Sequence, residues 1–128
     1  MMYRMSDKLK EVCIITESGR RTLGLFIRDF RQSPKEGYPD GWSLREMSSQ
    51  IKQLTGFTIT ESTLSAIERG NNNPQWNTLA VLAATGFLKK PLGDPYNTAD
   101  LFRICCDQLN PVTGENLKSD NGCLTGTR

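Results

Sequence analysis

The stretch Trp42–Gly70, WSLREMSSQIKQLTGFTITESTLSAIERG, constrains this chain more than any other, because it carries start and stop signals for two consecutive helices. Ser43 stands three residues before Glu46, the spacing of a capping box that satisfies free amide donors at a helix start. Leu44, Met47, Ile51 and Leu54 then recur at spacings of three, four and three, which is one apolar stripe of a helix. Gly56 follows, where a left-handed C-cap costs least. Thr60 can cap a second, shorter helix running to about Arg69, with Leu64 and Ile67 as its buried pair and Gly70 as its stop.

Many proteins contain two helices joined by a bend, and the composition of the second one narrows the choice. Apart from Leu64, residues 60–66 are small or polar: Thr60, Glu61, Ser62, Thr63, Ser65 and Ala66. Such a face suits a helix that enters a groove only as wide as itself, since bulky side chains would hold it off. The run ITESTLSAIERG resembles the second helix and following turn of Cro/repressor-type (XRE-class) helix-turn-helix DNA-binding proteins. The motifs on either side fit the resemblance. Trp42 falls where the family has an apolar residue before its motif, and Pro74, Trp76, Thr78 and Leu79 match the family's P-x-apolar-x-T-L pattern. The resemblance covers about residues 22–88 and implies an all-α fold, a five-helix lambda-repressor-like helix-turn-helix domain with flexible N- and C-terminal segments.

The rest of the chain is read around that motif. Residues 1–20 form an N-terminal arm, in which 11–16 suits a short strand or a segment lying on the domain, and Ser18-Gly19 breaks what precedes it. Arg20 and Arg21 stand where an arm contacts phosphate, or is simply solvated. The domain spans residues 21–109. Its first helix is expected over Leu23–Gln32, capped by Thr22, with Leu23, Phe26, Ile27 and Phe30 as its stripe. Residues 33–41 are a loop by composition. The fourth helix starts at Gln75 or Trp76, buries Trp76, Leu79, Leu82 and Ala83, and ends at Gly86. The fifth is expected over Ala99–Leu109, capped by Asn97 or Thr98, burying Leu101, Phe102, Cys105 and Leu109. Residues 110–128 are rich in Gly, Thr, Asn and Ser, a composition that predicts a disordered tail.

Composition excludes more than it selects. With 16 basic and 14 acidic residues the formal net charge is +2, a weak electrostatic footprint for a nucleic-acid binder. No apolar run approaches the roughly 20 residues that span a bilayer, and the N-terminus lacks a signal-peptide core, so a cytoplasmic location is expected. Four cysteines, Cys13, Cys105, Cys106 and Cys123, show no C-x-x-C spacing, and histidine is absent. Reduced thiols are therefore expected and a metal site is not. On a helix, Cys105 and Cys106 point about 100° apart, placing one in the core and the other near the surface. Without histidine, a phosphate-cradling glycine loop or a metal cluster there is no plausible general base, so the chain reads as no enzyme and needs no cofactor.

Carried over residue by residue, the resemblance puts base-facing positions at Glu61, Ser62, Ser65 and Ala66. Backbone contacts fall to Arg45, Lys52, Thr60, Thr63, Asn71, Asn72 and Asn73, helped by the amide donors that open the second and third helices. The reading face lacks the Arg, Lys, Asn or Gln that grip bases bidentately. Glu61 can accept from cytosine N4, or merely complement the helix dipole. Leu44 occupies a position where the family often holds a phosphate with Gln. The resemblance also implies a structural ion pair between Arg31 and Glu68. Ser48 stands where close helix approach usually requires Ala. The bend after residue 52 is longer than in the family. Either the helix before it gains a turn, with Leu54 and Phe57 tucked onto the core, or the recognition helix is set at another angle.

The expected partner is double-stranded DNA, and the expected role is a small bacterial, phage or plasmid transcriptional regulator with the 60–69 helix in the major groove. The alternative is a protein-interaction module or antitoxin using the same fold without specific DNA reading. A homodimer through the fifth helix or the loop before it follows from the family. About 40 residues follow the fourth helix's core, too few for a ligand-sensing domain, so no small-molecule effector is inferred.

Overall fold

The computed structural model describes residues 13–117; residues 1–12 of the expected arm and 118–128 of the expected tail, Cys123 among them, lie outside the described residues. Among the described residues five helices follow one another: α1 Glu17–Gln32, α2 Leu44–Thr55, α3 Glu61–Arg69, α4 Trp76–Thr85 and α5 Thr98–Cys105. Strand pairing among the described residues amounts to three isolated bridges that close turns, Lys35 with Tyr38, Lys89 with Pro95 and Leu109 with Asn116. The architecture is all-α. No helix among the described residues is long and apolar enough to cross a membrane.

The α1 helix begins six residues earlier than its apolar stripe predicts. Thr16, not Thr22, is the cap, its hydroxyl accepting from the Gly19 amide at 2.9 Å. The Ser18-Gly19 pair therefore lies inside the helix instead of breaking it, and Arg20 and Arg21 are helical rather than part of an arm. Gly19 is tolerated there because α1 crosses the end of α5 at this point. A Cβ on Gly19 would run into the Cys105 carbonyl, and the Thr16 amide donates to that same oxygen at 3.0 Å. Gly24 does the same against the Glu68 carbonyl, letting α1 lie close on α3. At its other end α1 is closed by Lys35, whose ammonium donates to the carbonyls of Phe30 (2.5 Å), Arg31 (3.1 Å) and Ser33 (2.8 Å).

The next two helices start and stop at their sequence signals. Ser43 and Glu46 form both halves of the capping box, and α2 ends on Gly56 at φ 79°. Thr60 caps α3 and Gly70 ends it at φ 68°. The Ser48 hydroxyl donates to the Ile59 carbonyl at 2.6 Å, tying α2 to the residues that lead into α3. Leu23, Ile27, Met47, Ile51, Leu64, Leu79, Leu82, Leu101 and Ile104 make the centre of the core. Phe30, Trp42 and Phe87 form an aromatic cluster against it, with Phe30 and Phe87 stacked at 5.0 Å.

Several packing expectations fail. Leu54 and Phe57 are 57% and 64% exposed and do not tuck onto the core. Leu54 lies on the same side of α2 as Met47, but it lines an open hollow with Phe57, Ala80 and Ala84. Trp76 is 53% exposed, resting edge-on against Phe102 instead of filling the core. The α5 helix stops at Cys105, four residues short of Leu109, because Asp107 turns the chain at φ 62°. Leu109 is buried all the same, from the turn that follows. Residues 110–117 are not a disordered tail: Asn110 and Glu115 pair by backbone, Leu117 donates to Gln108, and the Tyr96 hydroxyl donates to the Pro111 carbonyl at 2.8 Å.

Both adjacent cysteines are buried, contrary to the expectation that one faces out. Cys105 is on α5, whereas Cys106 is its C-cap and bends back beneath residues 13–16. Burial pushes the Cys105 thiol up to about 12, with the nearby Cys13 adding to the shift. Cys106 is raised by the same desolvation and by its hydrogen bond with Cys13.

Two tests follow from this packing. Gly19→Ala, a change that would stabilise an isolated helix, should here cost about 1–3 kcal/mol by overpacking, and chemical denaturation measures it. The native thiols keep protons that an unfolded chain releases, so their stabilisation is complete below about pH 9 and is lost as pH rises toward 12. Melting temperatures from pH 8 to 11 should fall, and fall less steeply in Cys105→Ala.

Candidate nucleic-acid interface

The placement of α3 rests on one carboxylate. Glu68 is buried at the inner side of α3, and Arg31 of α1 grips it in a two-pronged pair, Nε to Oε2 at 2.7 Å and Nη2 to Oε1 at 2.8 Å. The third guanidinium nitrogen donates to the Trp42 carbonyl at 2.9 Å, just ahead of the α2 cap. Hydrogen bonding to Glu68 raises the Arg31 pKa further, against the desolvation that opposes it. Arg28 adds a longer contact at 3.7 Å. One side chain thus joins α1, α3 and the entrance to α2. Arg20 extends the anchorage to the turn after α3, donating to the Gly70 carbonyl and to Asn73 Oδ1, each at 3.0 Å.

With Leu64, Ile67 and Glu68 turned inward, α3 presents Glu61, Ser62 and Thr63 as exposed residues, and Ser65 and Ala66 as half-buried ones. Arg69 also lies on this outer side, and its guanidinium donates back to the Ser65 hydroxyl. The helix therefore carries a bidentate-capable side chain after all. The expected base-facing set ends at Ala66, whereas helical geometry puts residues 62, 65 and 69 in one row.

Around α3 the expected backbone-contact residues divide into groups. Ser62, Thr63 and Ala66 face Asn72, Asn73, Gln75 and Thr78 across a hollow of about 300 Å³. Asn71 is exposed on the adjoining turn. The Thr60 hydroxyl is committed to its cap, accepting from the Thr63 amide at 3.2 Å and donating to the Thr63 hydroxyl at 2.9 Å. Arg45 is exposed in the first turn of α2. Lys52 sits at the other end of that helix and donates to the Gly56 carbonyl at 3.1 Å.

Sequence reasoning missed Gln75 and Thr78. Gln75 is the N-cap of α4, yet makes no side-chain capping bond. The first amides of α4 are consequently without a side-chain acceptor, and they open beside the α3–Asn72 hollow. The signal was present as the lack of Ser, Thr, Asp or Asn after Pro74. Chemically, the hollow offers hydroxyls, amides and peptide N–H groups to an anion or a base edge. Among the described residues no group of His, Cys, Asp and Glu is placed to hold a metal ion.

No protein-family model, curated protein or solved structure matches the chain.

Arg31→Ala would leave the Glu68 carboxylate buried with only the longer Arg28 contact. The expected loss is about 3 kcal/mol. A thermal melt reads it directly, and an unchanged midpoint would show that the pair does not hold α3 in place.

Proposed function

We propose that this chain is a sequence-specific DNA-binding protein of the Cro/repressor-type, lambda-repressor-like helix-turn-helix class, acting as a small transcriptional regulator in a bacterial, phage or plasmid setting. The observation that carries this reading is α3 itself. It is short, capped at both ends and anchored by a buried ion pair, and its outward side has no side chain larger than Glu61 until Arg69. A helix of that shape fits the major groove with its N-terminal residues at base edges.

In this reading Glu61, Ser62, Ser65 and Ala66 face bases and Arg69 adds a grip that the small residues lack. Arg45, Thr60, Thr63, Asn71, Asn72 and Asn73 take phosphates, together with the first-turn amides of α2, α3 and α4 that no side chain caps. Lys52 is the weakest member, since it already serves the Gly56 carbonyl. The cytoplasm is the corresponding location, and the reading requires no cofactor and no catalysis.

The net charge of +2 favours a second reading, in which the same fold serves as a protein-interaction module or antitoxin. Binding to a random-sequence duplex separates the two. If four to six phosphates are neutralised, log K falls against log salt with a slope of about −4 to −5, and Arg45→Glu abolishes retention on a DNA column at low salt. A flat salt response, or no retention of the wild type, would favour the protein partner.

A further inference from the structure

Three of the four cysteines gather where the start of α1 meets the end of α5, and the DNA reading uses none of them. Residues 13–16 lead into α1 with alternating exposure: Ile14 is 66% exposed, whereas Ile15 packs against the core. A two-residue alternation puts Cys13 on the inner side with Ile15, and it is half-buried. The Thr16 amide donates to the Cys105 carbonyl at 3.0 Å and holds this segment on α5, while the Thr16 hydroxyl reaches Asp107 at 3.5 Å. Cys13 thereby meets Cys106, its hydrogen-bond partner, which is buried as the C-cap of α5. Cys105 instead belongs to the core, with Leu101 and Ile104.

We propose that Cys13 and Cys106 are an oxidisable pair, which a hydroperoxide joins as an intramolecular disulfide clasping the start of α1 to the end of α5. Burial keeps the Cys106 thiol protonated and out of solvent, so the half-buried Cys13 meets the oxidant. The Cys13 sulfur attacks one peroxide oxygen and the O–O bond breaks. Cys13 becomes a sulfenic acid, and the other oxygen leaves as water with the thiol proton, or as an alcohol from an organic hydroperoxide. The Cys106 sulfur then attacks the Cys13 sulfur. The S–O bond breaks, and that oxygen leaves as water with the Cys106 proton. Two thiols are oxidised to one disulfide, and one peroxide is reduced.

Geometry selects Cys106 over its neighbour as the second sulfur. Cys105 is fully buried in the core, and turning it toward Cys13 would leave a gap among Leu101 and Ile104. A bond between Cys105 and Cys106 themselves is disfavoured as well. Adjacent Cα atoms across a trans peptide lie about 3.8 Å apart, closer than the roughly 4.4 Å at which disulfides begin. Cys13 and Cys106 already touch, and Cys13 stands on the chain ahead of the Thr16 cap rather than within a helix. Small shifts there close the bond without disturbing α1. The clasp closes a loop of about 90 residues, which restricts the unfolded chain strongly, and a rise in melting temperature of roughly 10 °C is expected.

Treating the fully reduced, full-length chain with hydrogen peroxide, then alkylating free thiols and mapping peptides by mass spectrometry, tests the proposal. The expected product is a monomer that has lost two hydrogens, with a Cys13–Cys106 linked peptide and with Cys105 alkylated only after unfolding. Its melting temperature should exceed that of the reduced chain and return on treatment with dithiothreitol. Cys106→Ser should accumulate a Cys13 sulfenic acid that a cyclic 1,3-diketone traps. Cys13→Ser, at a half-buried position, should keep the fold and show no peroxide-dependent rise in melting temperature. Thiols that survive peroxide unchanged overturn the proposal. So does a disulfide that maps to Cys105 or Cys123 or runs between chains, a Cys13 sulfinic acid beside a free Cys106, or a Cys13→Ser chain whose melting responds as the wild type does. Because no DNA is present, none of these outcomes bears on whether α3 reads a duplex.

Discussion

A carboxylate buried beneath a nine-residue helix is costly unless its charge is met, and here the Arg31 guanidinium meets both oxygens of Glu68. Replacing such a pair by well-packed apolar residues is often neutral or better for stability, so its value lies in what it specifies. The α3 helix has only Leu64 and Ile67 as apolar anchors, and two apolar contacts would let so short a helix roll about its axis. The two-pronged pair fixes that rotation. Because the same guanidinium also donates to the Trp42 carbonyl, the start of α2 is set relative to α3 by one planar group. Gly24, which lets α1 approach the end of α3, belongs to the same arrangement.

With its rotation fixed, α3 shows one side outward, and the surroundings supply donors without much formal charge. The open N-terminal amides of α4, the Asn72 and Asn73 amides and the hydroxyls of Ser62 and Thr63 gather around one hollow. Dipoles and neutral donors of this kind serve phosphates through position and direction, which is compatible with a net charge of only +2. The proposed DNA contact therefore depends more on shape than on long-range attraction.

Most of the fold was legible because its signals are local. The Ser43–Glu46 box, Thr60, Gly56, Gly70 and Gly86 each mark a helix end through chemistry within one turn, and the helices begin or stop there. Where the reading failed, the cause was tertiary. Gly19 looks like a breaker locally, but it is required by the crossing of α1 and α5. Leu54 continues an apolar stripe whose cover ends before it, and Trp76 opens a helix whose core side starts at Leu79. The burial of Cys106 depends on residues 13–16 lying over the end of α5, ninety residues away in sequence. In the candidate site, the family resemblance led to the α3 residues, while Gln75 and Arg69 emerged only from which side chains share a surface.

Selection of bound sequences from a random DNA pool tests the central claim, that the outward side of α3 reads duplex DNA, most directly. The account predicts enrichment of a short motif, as base-edge contacts from the outward side of α3 require. It also predicts that Ser62→Arg or Arg69→Ala changes the motif without loss of the fold. A pool that shows no enrichment after repeated rounds, from a protein shown to be folded, would contradict it.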